Sequence, residues 1–111
     1  MIMANAFKNR TLRQVGTSPV DVGAVVASST ETTLIGMTLA NVTSGVINVT
    51  VQLINGSDTT HIVKDAPIPT GGSLVAVGGD QKIVLMTSDK ITVTSNTASS
   101  CDVIMSFLEI T

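Results

Sequence analysis

Tryptophan and tyrosine are absent from this sequence, and Phe7 and Phe107 are its only aromatic residues. The flat side chains that stack on sugars and unpaired bases, or anchor proteins at membrane interfaces, are therefore almost missing. Charge is scarce as well: Asp, Glu, Lys and Arg make up 13% of the chain, against about 25% in ordinary soluble domains. A surface so poor in charge is either coated with Ser and Thr or covered by something else, and copies of the same chain are a natural cover. The net charge of −2 gives no general attraction to a phosphate backbone. Neither nucleic acid nor membrane is expected as a partner.

The reactive residues are just as few. Cys101 is the one cysteine, so no intramolecular disulfide can form, and its place among alternating residues reads as a small buried thiol. His61 is the one histidine. A single Cys and a single His do not make a zinc centre, and any Ser-His-Asp or Cys-His device would have to be built on His61. In Thr59-Thr60-His61-Ile62-Val63 it reads as a strand residue at the surface or in a subunit contact. Asp58, Asp65, Asp80, Asp89 and Asp102 are scattered, mostly at turns, without calcium-loop spacing. No catalytic residue, cofactor or metal ligand is expected.

The start, MIMANAFKNR, lacks the basic and long apolar regions of a secretory signal, and no apolar run approaches the ~18 residues of a membrane span. Asn41, Asn48 and Asn55 match the glycosylation pattern. Without a secretory route the matches read as chance products of Thr-rich strands.

Two Gly-Gly pairs bracket Leu74 to Val77. A phosphate loop needs a Lys-Ser or Lys-Thr after its glycines and a helix to follow. Here Gly71-Gly72 is followed by Ser-Leu-Val, and Gly78-Gly79 by Asp80, whose charge would oppose a phosphate. The pairs read as sharp corners flanking a strand.

What is abundant is β-branched residues in alternation, interrupted every eight to twelve residues by Gly, Asn, Asp, Ser or Pro. That rhythm predicts an all-β, single-domain antiparallel sandwich, jelly-roll-like, of about eight strands. Strands are expected at Thr11 to Val15, Val20 to Val26, Thr32 to Ala40, Val46 to Ile54, Thr59 to Val63, Ser73 to Val77, Lys82 to Met86, Lys90 to Ser95 and Asp102 to Ile110. In the third of these, Ile35, Met37 and Leu39 are expected on one face. The last is apolar on both faces, which predicts a central strand or one covered by another subunit. Asn5 to Gln14 is the only helix candidate. Asn55-Gly56 predicts a hairpin.

Lys8, Arg10 and Arg13 hold half of the six basic residues, and no acidic residue precedes Asp21. The chain therefore divides into residues 1 to 15, an extended N-terminal arm or first edge strand, and a β-sandwich over residues 16 to 111. Phe7, Lys8, Arg10 and Arg13 are the candidate inter-subunit arm. Removing residues 1 to 13 is expected to leave the fold intact and weaken association.

Lys64-Asp65-Ala66-Pro67-Ile68-Pro69, Gly72-Ser73-Leu74, Gly78-Gly79-Asp80-Gln81-Lys82-Ile83-Val84-Leu85 and Asp89-Lys90-Ile91-Thr92-Val93-Thr94-Ser95 resemble segments of small virion proteins of tailed bacteriophages. So do the opening Phe7 to Gly16 and the closing Asp102 to Thr111. Where many such proteins carry Gly-Asp, this chain has Ser88-Asp89, which predicts a different turn conformation. The resemblance implies a non-enzymatic structural subunit of the virion, made in the host cytoplasm. Its station would be capsid cement or decoration, with neck, tail, baseplate or fibre as the alternative. Its partners would be other copies, a trimer first, and virion proteins such as the major capsid protein. A host-surface or glycan-binding module is the competing class, and it lacks an aromatic platform.

Overall fold

The computed structural model describes residues 5 to 23 and 25 to 111. Among the described residues there are nine strands and no helix: β1 (Asn5–Val15), β2 (Val20–Asp21), β3 (Glu31–Asn41), β4 (Ile47–Asn55), β5 (Asp58–Ile68), β6 (Ser73–Val77), β7 (Ile83–Leu85), β8 (Lys90–Ser95) and β9 (Cys101–Ile110). They form two antiparallel sheets. The first runs β1-β9-β3-β6, with β7 also paired to β3; the second runs β2-β8-β4-β5. The protein is a β-sandwich, as the alternation predicts.

The chain changes sheets at most of its connections, so strands that pair are mostly distant in sequence. β4 and β5 are the exception, joined by the hairpin at Asn55↔Asp58. β9 is central in the first sheet, flanked by β1 and β3, but its apolar outward side is left uncovered by the subunit, with Ile104 57% exposed. Its inward residues Val103, Met105 and Phe107 are buried, and they meet Leu34, Met37 and Leu39 of β3 in register. Ile47, Val49 and Val51 of β4 with Ile91 and Val93 of β8 close the core from the second sheet. Burying each such side chain contributes about 1.5–3 kcal/mol.

Several local expectations are corrected. Asn5 to Gln14 is not helical: it lies in β1, where Ala6, Lys8, Arg10 and Leu12 pair with Glu109, Phe107, Met105 and Val103. Pairing along β9 decides a segment that has no helix caps of its own. The strand expected from Val20 to Val26 keeps only Val20 and Asp21, because the backbone turns out at Gly23, with φ of +77°. In β3 a bulge between Leu34 and Gly36 inserts Ile35 as an extra residue, which shifts the alternation by one. Leu34, Met37 and Leu39 therefore share the buried face, and Ile35 is only half-buried. Ser88 stands at φ +76°. The turn before β8 thus has the left-handed conformation that a glycine would take, rather than a different one.

Candidate interaction surface

His61, Cys101 and Asp89 each have their own surroundings in the fold. His61 is exposed on β5 and its Nε2 lies 3.1 Å from Nε2 of Gln52. Cys101 is fully buried in β9. Burial first, then the nearby Asp102 carboxylate, push its thiol up to about 11, against a weaker lowering by a backbone hydrogen bond to Ala40. Such a thiol is protonated and shielded at neutral pH. Asp89 is buried at a turn, accepting from Asn55 Nδ2 at 2.7 Å and from the Met86 amide at 2.9 Å. Among the described residues no three His, Cys, Asp or Glu side chains converge in a way that would hold a metal ion.

The glycine pairs are corners. Gly71 and Gly79 have φ of +71° and +63°, where other L residues are strained. The Gln81 amide closes the second corner on the Gly78 carbonyl at 3.1 Å. Neither corner opens a helix. Asn41, first of the three glycosylation-pattern sites, is buried with its amide fully engaged.

The four N-terminal candidates have separate surroundings. β1 is the edge of the first sheet, paired to β9 from Asn5↔Ile110 to Val15↔Cys101 with a shift between Leu12 and Val15. Phe7 is 79% exposed. Lys8 forms an ion pair with Glu109 at 2.9 Å. The Arg10 guanidinium lies 5.3 Å from the centroid of the Phe107 ring, a cation–π distance. Its aliphatic stem crowds Gly23, where a Cβ would stand 3.0 Å from Arg10 Cγ. Arg13 is exposed and forms no ion pair among the described residues. Two of the three cations are thus engaged inside the subunit. Deleting residues 1 to 13 would strip β9 of its neighbour, so such a deletion perturbs the fold as well as any contact.

The outward face of the first sheet is the most distinctive surface. Residues paired across antiparallel strands share a face. Val75, Thr38, Ile104 and Thr11 form one row from β6 to β1, and Val84, Thr33, Leu108 and Phe7 form another from β7 to β1. Val75, Ile104, Val84 and Phe7 are each more than half exposed. Neither row, nor Gly36, Ser106 and Asn9 between them, contains an ionisable side chain; Asp102 and Glu31 stand at the two ends. A shallow depression formed by Phe7, Lys8, Asn9, Ile35, Ser106 and Phe107 interrupts it. Such a face costs little to dehydrate and offers apolar area to a matching surface.

The fold has solved counterparts. A chain of the Bacillus endospore appendages, described as disulfide-linked pili, superposes with a TM-score of 0.59 at 12% identity, covering 96% of this chain and 86% of its own length. Chains of infectious bursal disease virus also align: one from the Gx strain (TM-score 0.44, 10% identity, 99% of this chain and 37% of that one) and one from the VP2 subviral particle (0.43, 17%, 98% and 32%). This chain spans about a third of the two viral chains. No family model matches the sequence, and no curated protein does either.

Sequence reasoning missed Glu109 as the partner of Lys8, and missed that Phe7, Ile104, Val75 and Val84 share one surface. Only the apolar outward side of β9 signalled it. The rest depends on strand order, which the alternation does not carry.

Proposed function

We propose that this chain is a non-enzymatic structural subunit of a virion, assembled in many copies, with the outside of a capsid as its station in a cement or decoration role. The observation that carries the reading is the uncharged, apolar outward face of the first sheet, bordered by the eleven-residue edge strand β1. A charge-free face of this kind suits burial against copies of the chain, a trimer first, and against a shell protein such as the major capsid protein. An open edge adds backbone groups ready to pair. Phe7 and Arg13 are the contact residues at that border. Lys8 and Arg10 hold β1 in register through Glu109 and Phe107.

Two further features support the reading. If β6 and β7 count as one strand broken by the Gly78–Gln81 corner, the order β1-β9-β3-β6 over β2-β8-β4-β5 is that of an eight-stranded jelly roll, an architecture used by viral capsid domains. The Bacillus appendage protein, of similar length and fold, belongs to pili described as disulfide-linked. Cys101 is fully buried, so copies of this chain would be joined by packing instead.

The test is self-association and shell binding of the purified chain, measured by sedimentation velocity and co-pelleting with assembled shells. Ile104→Lys, which puts an unpaired charge into the centre of the face, should weaken both by about tenfold or more. Thr59→Lys, at an exposed position of β5 in the second sheet, should leave them unchanged. A chain that stays monomeric and ignores shells, or an Ile104→Lys variant that assembles normally, would overturn the proposal.

A further inference from the structure

At the end of the sandwich where β1 begins, the two sheets do not close on each other. A cavity of about 160 Å³ lies between them. Leu85, Met105 and Phe107 of the first sheet line it on one side, with Ile91 of β8 and Val22 and Val26 of the chain after β2 on the other. An apolar protein cavity of about 150 Å³ accepts a benzene molecule, so a six-carbon chain is the right size for this one.

The rim sets the charge of what enters. Glu109 borders the cavity, and Lys8 neutralises it at 2.9 Å. Lys90 borders it too, and lies 3.4 Å from Asp21. Arg10 is the third charged group at the rim. Its partners are the Phe107 ring at 5.3 Å and the Asn9 carbonyl at 3.1 Å, and it has no carboxylate partner among the described residues. Two neutral pairs and one uncompensated guanidinium leave the mouth with one positive charge. The Phe107 contact and the close approach of Gly23 fix the stem of Arg10 at that mouth, and the planar fork of a guanidinium matches a carboxylate.

We propose that this cavity binds small aliphatic monocarboxylates of about six carbons, with the apolar tail between the sheets and the carboxylate on Arg10. The site is separate from the outward face and does not depend on the assembly reading. It places Arg10, a residue otherwise seen only as a clamp on Phe107, at the head of a ligand.

The experiment is an NMR titration of the isotope-labelled full chain with hexanoate, hexan-1-ol and hexylamine, read at the amides of Leu85, Ile91, Met105 and Phe107. Hexanoate should bind saturably in the millimolar range or tighter, about tenfold more tightly than hexan-1-ol, and hexylamine should bind most weakly. Arg10→Met retains an unbranched apolar stem and should bring hexanoate down to the alcohol. The ligand series on the unaltered chain stands even if that variant fails to fold. Absence of saturable hexanoate shifts at these residues, or hexylamine binding as well as hexanoate, would overturn the proposal.

Discussion

The side-chain amide of Asn41, in the first sheet, donates to the main-chain carbonyl of Ile68, in the second, at 2.9 Å. The same nitrogen donates to the Gly45 carbonyl at 2.7 Å, while Oδ1 accepts from the amide and the hydroxyl of Thr43 at 2.8 and 2.7 Å. One buried side chain thus ties the sheets together and folds the β3–β4 connection. Replacing it by Ala leaves the Ile68 carbonyl buried without this partner. Asn41→Ala should therefore lower stability by about 2–4 kcal/mol, measured by urea unfolding. A loss below about 1 kcal/mol would show that water replaces the amide.

Cys101 makes stability depend on alkaline pH. Its thiol titrates from 9.0 in the unfolded reference to about 11 in the fold, so the folded state favours the neutral form. The resulting stabilisation is complete below about pH 9 and is lost as pH rises through about 11, because the unfolded chain ionises first. Urea midpoints should fall over that window by an amount that Cys101→Ala removes. An identical fall in the variant would assign the effect to other groups, the lysines above all.

Ser88 occupies a glycine conformation, with φ of +76°, and its amide donates to the Val26 carbonyl at 2.8 Å. A non-glycine residue in this region is strained by about 1–2 kcal/mol, and glycine gives back about 0.5–1 kcal/mol through its greater freedom when unfolded. Ser88→Gly should raise stability by up to about 1 kcal/mol, detected as a higher thermal midpoint. A decrease would mean that the hydroxyl contributes more than the strain removes.

Much of the fold was legible because alternation is a local signal. Lys90 to Ser95 and Ser73 to Val77 are strands at the expected bounds, since β-branched residues at every second position suit one buried face whatever strand lies alongside. The edge β1 was harder to see. Its inward positions are Ala6, Lys8, Arg10 and Leu12, and two cations in that row hide the period. They are tolerated at an edge because Glu109 and the Phe107 ring receive them. The bulge at Ile35 was invisible for a related reason: an extra residue is defined by its partner, and Gly36 faces Ser106 only once β9 is in place.

By itself, the sequence determined the all-β class, the corners at the glycine pairs and the low charge that leaves apolar surface to be covered. Those follow from composition and from contacts a few residues apart. The tertiary structure alone decided which residues share the outward face, that Lys8 and Arg10 are held within the subunit, and that a cavity opens beside Arg10. Each of these joins residues nearly a hundred positions apart, such as Lys8 and Glu109. Proximity of that kind comes from the order in which strands pair, which no local pattern encodes.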